Sequence, residues 1–168
     1  MQSLPITTQR LTLRLLNESD ASFINRLYNT PGFLYFVGDK NIRSDIDAAV
    51  YLRSTLIPMY KDRFMGLLAV ELKDSGEPIG VCGLIDRDTL DDIDLGFGYL
   101  PEYEGLGYAR EAAELMIDVA RNTLGMTSLI AITLEDNHRC LSLLDKLDFV
   151  EQSGSRPEPD VVLLKRRL

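Results

Sequence analysis

One segment constrains the fold of this 168-residue chain more than any other: residues 94–112, DLGFGYLPEYEGLGYAREA. It begins as an apolar, strand-like run, is interrupted by Gly105 and Gly107, and continues into apolar positions that recur at helical spacing from Ala109 to Ala120. A strand that passes through a glycine turn into a strong helix directs several backbone N–H groups and the positive end of the helix dipole at one point. This arrangement favours a bound phosphate or diphosphate.

Two well-known phosphate-binding turns fit this segment poorly. A Walker A loop requires Gly-Lys-Ser/Thr, whereas Gly107 is followed by Tyr108 and Ala109, so this kind of site is excluded. The dinucleotide-binding fingerprint requires a third glycine at the position of Arg110 and a parallel βαβ unit. It is disfavoured because the preceding strands are joined by short, turn-forming segments, which predict an antiparallel arrangement.

The rest of the chain alternates short strands and helices. The strand-like runs are 11–16, 64–72, 79–85, 93–100, 128–134, 149–150 and 161–165, and the helical runs are 17–30, 44–58, 109–120 and 137–147. We expect Phe33, Tyr35 and Phe36 to lie in an aromatic loop, and Pro58 to kink or end the second helix. With no repeat or linker in the pattern, the sequence predicts one α/β (α+β) domain over residues 1–168.

Charge and cysteine content exclude several classes of protein. The chain has 18 Lys and Arg against 26 Asp and Glu, a net charge of −8, which argues against nucleic-acid binding through a general basic surface. Cys82 and Cys140 are too few for a disulfide framework and lack the spacing of a zinc site, so we expect no metal and a cytoplasmic location. No signal peptide and no run of about 18 apolar residues is present, so no membrane partner is expected.

Motifs in three parts of the chain resemble those of GNAT-type N-acetyltransferases. Residues 104–109 are similar to the acyl-CoA-binding signature of that family, Gln/Arg-x-x-Gly-x-Gly/Ala. The longer stretch 101–112 resembles the RimJ/RimL-like branch, in which the motif commonly reads Gly-x-Gly-Tyr-Ala-x-Glu-Ala. Residues 8–14 resemble the N-terminal strand of that branch, and 137–149 resemble its Asn-x-x-Ser/Ala-x-x-x-x-Glu-Lys-x-Gly-Phe element. The ordered set covers nearly the whole chain.

The resemblance implies a specific fold and cosubstrate. The fold is a mixed, mostly antiparallel sheet with helices on both faces, whose fourth and fifth strands, here 93–100 and 128–134, splay apart. The pantetheine arm of acetyl-CoA is expected in the gap between them. Unpaired N–H groups near Tyr99 and Leu100 are then expected to face the thioester carbonyl and the pantetheine amides.

The same resemblance implies the other cofactor contacts. The N–H groups from Gly105 to Arg110 are expected to hold the diphosphate, and Asn137 is expected to anchor the cofactor through its amide. Cys140 stands where serine is common and is expected to pack or to contact the cofactor. The predicted cofactor-binding residues are Tyr99, Leu100, Gly105, Leu106, Gly107, Tyr108, Ala109, Arg110, Asn137 and Cys140. Tyr99 is also predicted as catalytic, because losing one backbone donor to a developing oxyanion typically costs about 3 kcal/mol.

Acid and base groups follow the family pattern only in part. Asp94 stands where many relatives carry a glutamate, and we predict it as the general base, acting through water. Leu144 stands where many relatives carry a tyrosine that acts as the general acid. At pH 7, deprotonating a lysine amine costs about 4.6 kcal/mol and an α-amine only about 1 kcal/mol. The reaction is therefore expected to depend on proximity and oxyanion stabilisation, and to favour an amine that deprotonates readily.

Three functions remain open at this point. The first is N-acetyl transfer from acetyl-CoA to a primary amine, either a protein N-terminus or a small molecule, by a monomer or homodimer. The second is a noncatalytic acyl-CoA sensor, which Leu144 and the unusual Glu104 of the binding motif suggest. The third is an acidic protein-interaction domain without a cofactor.

Overall fold

The computed structural model describes residues 3–62 and 64–168. The eight strands found there form one sheet in the order β1-β2-β3-β4-β5-β6-β8-β7. The strands are β1 (Ile6–Thr7), β2 (Leu11–Arg14), β3 (Gly66–Leu72), β4 (Pro78–Ile85), β5 (Asp94–Tyr99), β6 (Ser128–Leu134), β7 (Val150–Glu151) and β8 (Val161–Arg167). Neighbouring strands are antiparallel except β5 and β6, which are parallel. The predicted mixed, mostly antiparallel sheet is confirmed.

Helices cover both faces of this sheet. They are α1 (Ala21–Tyr28), α2 (Pro31–Phe36), α3 (Asp45–Tyr51), α4 (Tyr108–Asp118) and α5 (His138–Lys146). Alternation along β3 separates two cores, since successive side chains of a strand point to opposite faces. Ala69 packs in the core with α1 and α3, whereas Leu68 and Val70 pack in the core with α4 and α5. Within the described ranges, no helix is both long and apolar enough to cross a membrane.

The sheet opens between β5 and β6, as predicted. These strands pair only at Asp94 and Ile130, where the Ile130 N–H donates to the Ile93 carbonyl at 2.9 Å. Beyond this point β5 continues to Tyr99 alongside β4 alone, while β6 continues alongside β8 to Leu134. One end of the sheet therefore contains a gap between two strands that neighbour each other in strand order.

The predicted aromatic loop after α1 is wrong. Residues Pro31–Phe36 form α2, because the Thr30 hydroxyl accepts from the Phe33 N–H and the fixed φ of proline suits the first helical turn. The Phe33 ring stacks on Tyr28, with 4.1 Å between ring centroids. The same Thr-Pro pair that ends one helix thus begins the next.

Other departures are local. The helix predicted from Ser44 begins as α3, with the Ser44 side chain capping it, and continues as a π-helical turn, Leu52–Leu56. A 3-10 helix, Ile57–Lys61, follows, with Pro58 in its first turn, so α-helical bonding has ended before the proline.

Candidate active site

The buried carboxylate of Asp94 lies where the sheet begins to open. Only 2% of the residue is exposed, and the Arg87 Nε donates to its Oδ2 at 2.7 Å. Burial raises the pKa of Asp94, and the hydrogen bond and charge of Arg87 oppose that rise. Sequence reasoning missed Arg87, which lies in an acidic loop. The signal was the hairpin itself, because pairing Ile85 with Asp94 brings the only cation of that loop beside the carboxylate.

The backbone of β5 directs two N–H groups into the gap. Neighbouring residues of a strand direct their N–H groups to opposite sides. The Leu100 N–H donates to the Ile79 carbonyl at 2.9 Å, on the β4 side, so the prediction that this N–H group is free is wrong. The Tyr99 and Phe97 N–H groups, having the opposite parity, point toward β6, where β5 has no pairing beyond Asp94. Phe97, rather than Leu100, therefore has the second N–H group on the β6 side of β5.

The Tyr99 side chain is separate from this row of N–H groups. It packs in the core beneath α4, and its Oη has no hydrogen-bond partner among the residues that the structure describes. Burial raises the pKa of Tyr99 well above its usual value. The predicted catalytic role of Tyr99 therefore depends on its main chain.

The glycine turn leads directly to the start of α4. Gly105 and Gly107 have φ of +76° and +84°, a left-handed conformation in which side chains are strained. Helical bonding begins with the Glu111 N–H, which donates to the Gly107 carbonyl at 3.1 Å. The N–H groups of residues 108–110 consequently have no partner within the helix. Those of Tyr108, Ala109 and Arg110 are among the predicted diphosphate donors.

Charged side chains around the turn have partners of their own. Glu104 pairs with Arg139 of α5, with 2.5 Å between Oε2 and Nη1. The Arg110 side chain pairs along α4 with Glu114, at 2.9 Å. Between Glu104 and Arg110 along the chain, the apolar side chain of Leu106 is exposed to solvent. Arg139 thus partly neutralises the one carboxylate within the family motif.

Asn137 and Cys140 lie at the start of α5. The Asn137 Oδ1 accepts from the Cys140 N–H at 3.3 Å, and its Nδ2 donates to the Thr133 Oγ1 at 3.1 Å. Burial raises the pKa of the Cys140 thiol to about 11, a hydrogen bond with Thr133 lowers it, and the charge of Asp94 raises it. The thiol is therefore neutral near pH 7. The cofactor-binding roles of Asn137 and Cys140 stay predictions.

Comparison with known proteins identifies the family. The profile of the family described as "Acetyltransferase (GNAT) domain" matches residues 10–150. The chain therefore belongs to the GNAT acetyltransferase family. Membership makes it an acyltransferase enzyme, and the gap and glycine turn lie within the matched residues.

Relatives named as N-acetyltransferases support this assignment. A Bacillus subtilis protein, uncharacterized N-acetyltransferase YoaA, is 25% identical over 154 residues, covering 90% of this chain and 85% of its own length. A Bacillus licheniformis protein, uncharacterized N-acetyltransferase p20, is 23% identical over 147 residues, covering 86% and 82%.

Solved structures show the same fold. An acetyltransferase from Agrobacterium tumefaciens has a TM-score of 0.82 at 24% identity, covering 100% of this chain and 97% of its own. Spermidine N-acetyltransferase from Vibrio cholerae, in complex with CoA and spermine, has a TM-score of 0.77 at 20% identity, covering 95% and 96%. Ribosomal-protein-S5-alanine acetyltransferase from Vibrio fischeri has a TM-score of 0.72 at 17% identity, covering 96% and 95%.

Leu144, which the sequence resemblance places at the usual acid position of the family, is fully buried and lies in the core with α4. The side chain at this position carries no hydroxyl. Among the described residues, no group of three or more His, Cys, Asp or Glu side chains could hold a metal ion.

Proposed function

We propose that this chain is an acetyl-CoA-dependent N-acetyltransferase that acts on a primary amine, either the N-terminus of a protein or a small molecule. One observation carries the proposal. Two N–H groups of β5, at Phe97 and Tyr99, point into the gap, where β5 has no strand partner among the described residues. The strand then leads through the glycine turn to the first N–H groups of α4, which have no partner within the helix. This set of donors suits a long ligand with amides at one end and a diphosphate at the other.

The residues present fit acetyl-CoA. Bound acetyl-CoA supplies an acetyl group activated as a thioester. The Phe97 and Tyr99 N–H groups are placed to hold carbonyl oxygens, and the N–H groups from Gly105 to Arg110 are placed to hold the diphosphate. Related support comes from the Vibrio cholerae enzyme of the same fold, whose structure contains CoA.

Asp94 is the proposed general base. Asp94 is the first residue of β5, where the gap begins, and burial raises its pKa, which makes the carboxylate a stronger base. The hydrogen bond and positive charge of Arg87 oppose this rise in pKa. They favour the ionised carboxylate, which is the form that accepts a proton.

The acceptor is proposed to be an amine that deprotonates readily, such as an α-amine. With Leu144 buried at the usual acid position, the enzyme depends on proximity and on backbone donors. RimJ/RimL-like motifs and the Vibrio fischeri neighbour favour a protein N-terminus, whereas the Vibrio cholerae neighbour favours a small amine. A cytoplasmic enzyme without a metal fits either acceptor.

Two measurements test the function. CoA should raise the melting temperature, by the equivalent of about 2.7 kcal/mol at 100 times its Kd. Acetyl-CoA with a panel of amines should then release free thiol, faster for peptides with a free α-amine than for matched peptides whose only amine is on lysine. CoA binding without amine-dependent thiol release would identify a sensor instead. Absence of stabilisation by CoA would leave an interaction domain without a cofactor.

A further inference from the structure

Two sequence motifs about 100 residues apart meet at the start of α4. The Glu111 Oε1 accepts from the Thr8 hydroxyl at 2.6 Å and from the Arg10 N–H at 2.9 Å. Its Oε2 accepts from the Arg10 Nε at 2.7 Å. The turn between β1 and β2 is thereby joined to the first turn of α4.

The Arg10 guanidinium also contacts the glycine turn itself. Its Nη1 donates to the Leu106 carbonyl at 3.0 Å, and its Cζ lies 4.3 Å from the centroid of the Tyr108 ring. A Cβ added to Gly107 would come within 3.2 Å of the Arg10 Nη2. One side chain therefore contacts Leu106 and Tyr108 and lies against the space that a side chain at position 107 would fill.

The hydrogen bond from Arg10 to the Leu106 carbonyl fixes the direction of the next peptide N–H group. In a planar trans peptide the C=O and the following N–H point in opposite directions. Because the Leu106 carbonyl is bonded to Arg10, the Gly107 N–H is directed away from Arg10. We propose that Arg10 is a positioning residue for the diphosphate: by holding the Leu106 carbonyl, it orients the amide groups of the turn toward the ligand. The inference rests on the proposed acetyl-CoA site.

Arginine suits this task better than lysine. Its planar fork donates to Glu111 and Leu106 at once while stacking on Tyr108, which a single ammonium cannot do. Burial raises the pKa of Glu111, but hydrogen bonds from Thr8 and Arg10 outweigh it and leave the pKa below its usual value. Glu111 is therefore charged at neutral pH and compensates the charge of Arg10. Because its charge is balanced, Arg10 acts mainly by orienting the turn rather than by attracting the diphosphate.

Comparing two ligands separates positioning from general stability. CoA carries the diphosphate, and pantetheine lacks it. For Arg10→Lys and Arg10→Gln, we expect CoA affinity measured by calorimetry to fall about tenfold, the effect of misplacing one backbone donor to the charged diphosphate, while pantetheine affinity stays within about twofold. Glu111→Gln, which keeps the size of the side chain, should lower the CoA-to-pantetheine affinity ratio in the same direction.

Arg14→Gln is the matched control. Arg14 lies four residues further along the chain, at the end of β2, and also forms ion pairs, with Asp20 and Glu71. This variant should lower the melting temperature and leave the affinity ratio unchanged. An unchanged ratio in the Arg10 variants, or wild-type CoA affinity in Arg10→Lys, would overturn the inference while leaving the function intact. Wild-type protein that binds no CoA would overturn both.

Discussion

Arg87 and Asp94 form an ion pair across the hairpin between β4 and β5, with 2.7 Å between Nε and Oδ2. The Asp94 side chain is 3% exposed and that of Arg87 is 43% exposed. The buried carboxylate is therefore balanced by a cation that solvent reaches. The pKa of Asp94 therefore depends on Arg87.

Asp94→Asn should lower kcat about a hundredfold or more, since positioned general bases typically contribute that much. CoA affinity should change little, because the diphosphate turn is formed by other residues. Asp92→Asn is the control, as Asp92 pairs with Lys165 outside the gap. Steady-state kinetics and calorimetry together measure the two effects, and an equal loss of turnover and CoA affinity would contradict the assignment.

Arg87→Gln should move the acidic limb of the kcat pH profile to higher pH. Arg87 lowers the pKa of Asp94 by its hydrogen bond and charge, against the larger effect of burial. Without Arg87, the carboxylate would require a higher pH to ionise. The measurement is kcat for one amine across pH 5–9. A limb that stays in place, or moves to lower pH, would show that Asp94 is not the titrating base.

Asp94→Asn should also stabilise the fold more at neutral pH than at pH 4. The raised pKa means that the folded state binds the Asp94 proton more tightly than the unfolded chain, whose pKa is about 3.9. The stability of the wild type therefore falls as pH rises from that value through the folded pKa, and the variant lacks this loss. Calorimetric melting temperatures at both pH values test the sign, and a larger benefit at pH 4 would contradict it.

Gly107→Ala should lower both stability and CoA affinity. A left-handed alanine costs about 1–2 kcal/mol, and the added Cβ would press on the Arg10 Nη2. Gly125→Ala is the control, because Gly125 has φ of +66° with open space around it, away from the turn. Both variants should melt earlier, and only Gly107→Ala should bind CoA more weakly. Equal CoA affinity in the two variants would argue against diphosphate binding at the turn.

Glu104→Gln should raise CoA affinity a few-fold. Glu104 places a carboxylate at the start of the glycine turn, and its loss would remove repulsion of an anion and release Arg139. Stability should change by less than about 1 kcal/mol, since the pair is exposed. Glu18→Gln, which breaks the exposed Glu18–Arg53 pair outside the glycine turn and α4, is the control and should leave CoA affinity unchanged. Unchanged or weaker binding by Glu104→Gln would show that Glu104 does not oppose the ligand.

Local patterns predicted most of the elements. β6 has the predicted bounds, Ser128–Leu134, because its run of apolar and β-branched residues is short and well delimited. α4 begins one residue before the prediction, directly after Gly107. Asp148, which stands where the family element of residues 137–149 has glycine, has φ of +63°, a left-handed conformation that aspartate tolerates better than most residues. The error at α2 arose because a Thr-Pro pair can either end one helix or begin another. The error at the Leu100 N–H arose because the sequence does not show which side of a strand pairs with its neighbour.

Amino-acid order alone determined the succession of strands and helices, the glycine turn and the family motifs, since each depends on neighbours along the chain. The contacts of Arg10 with Glu111 and of Arg87 with Asp94 depended on tertiary structure. Strand order and hairpin register decide which charged groups come within hydrogen-bond distance, and interactions of this strength fall off over a few ångströms. Residues about 100 positions apart therefore acquire a shared role only when the sheet has formed.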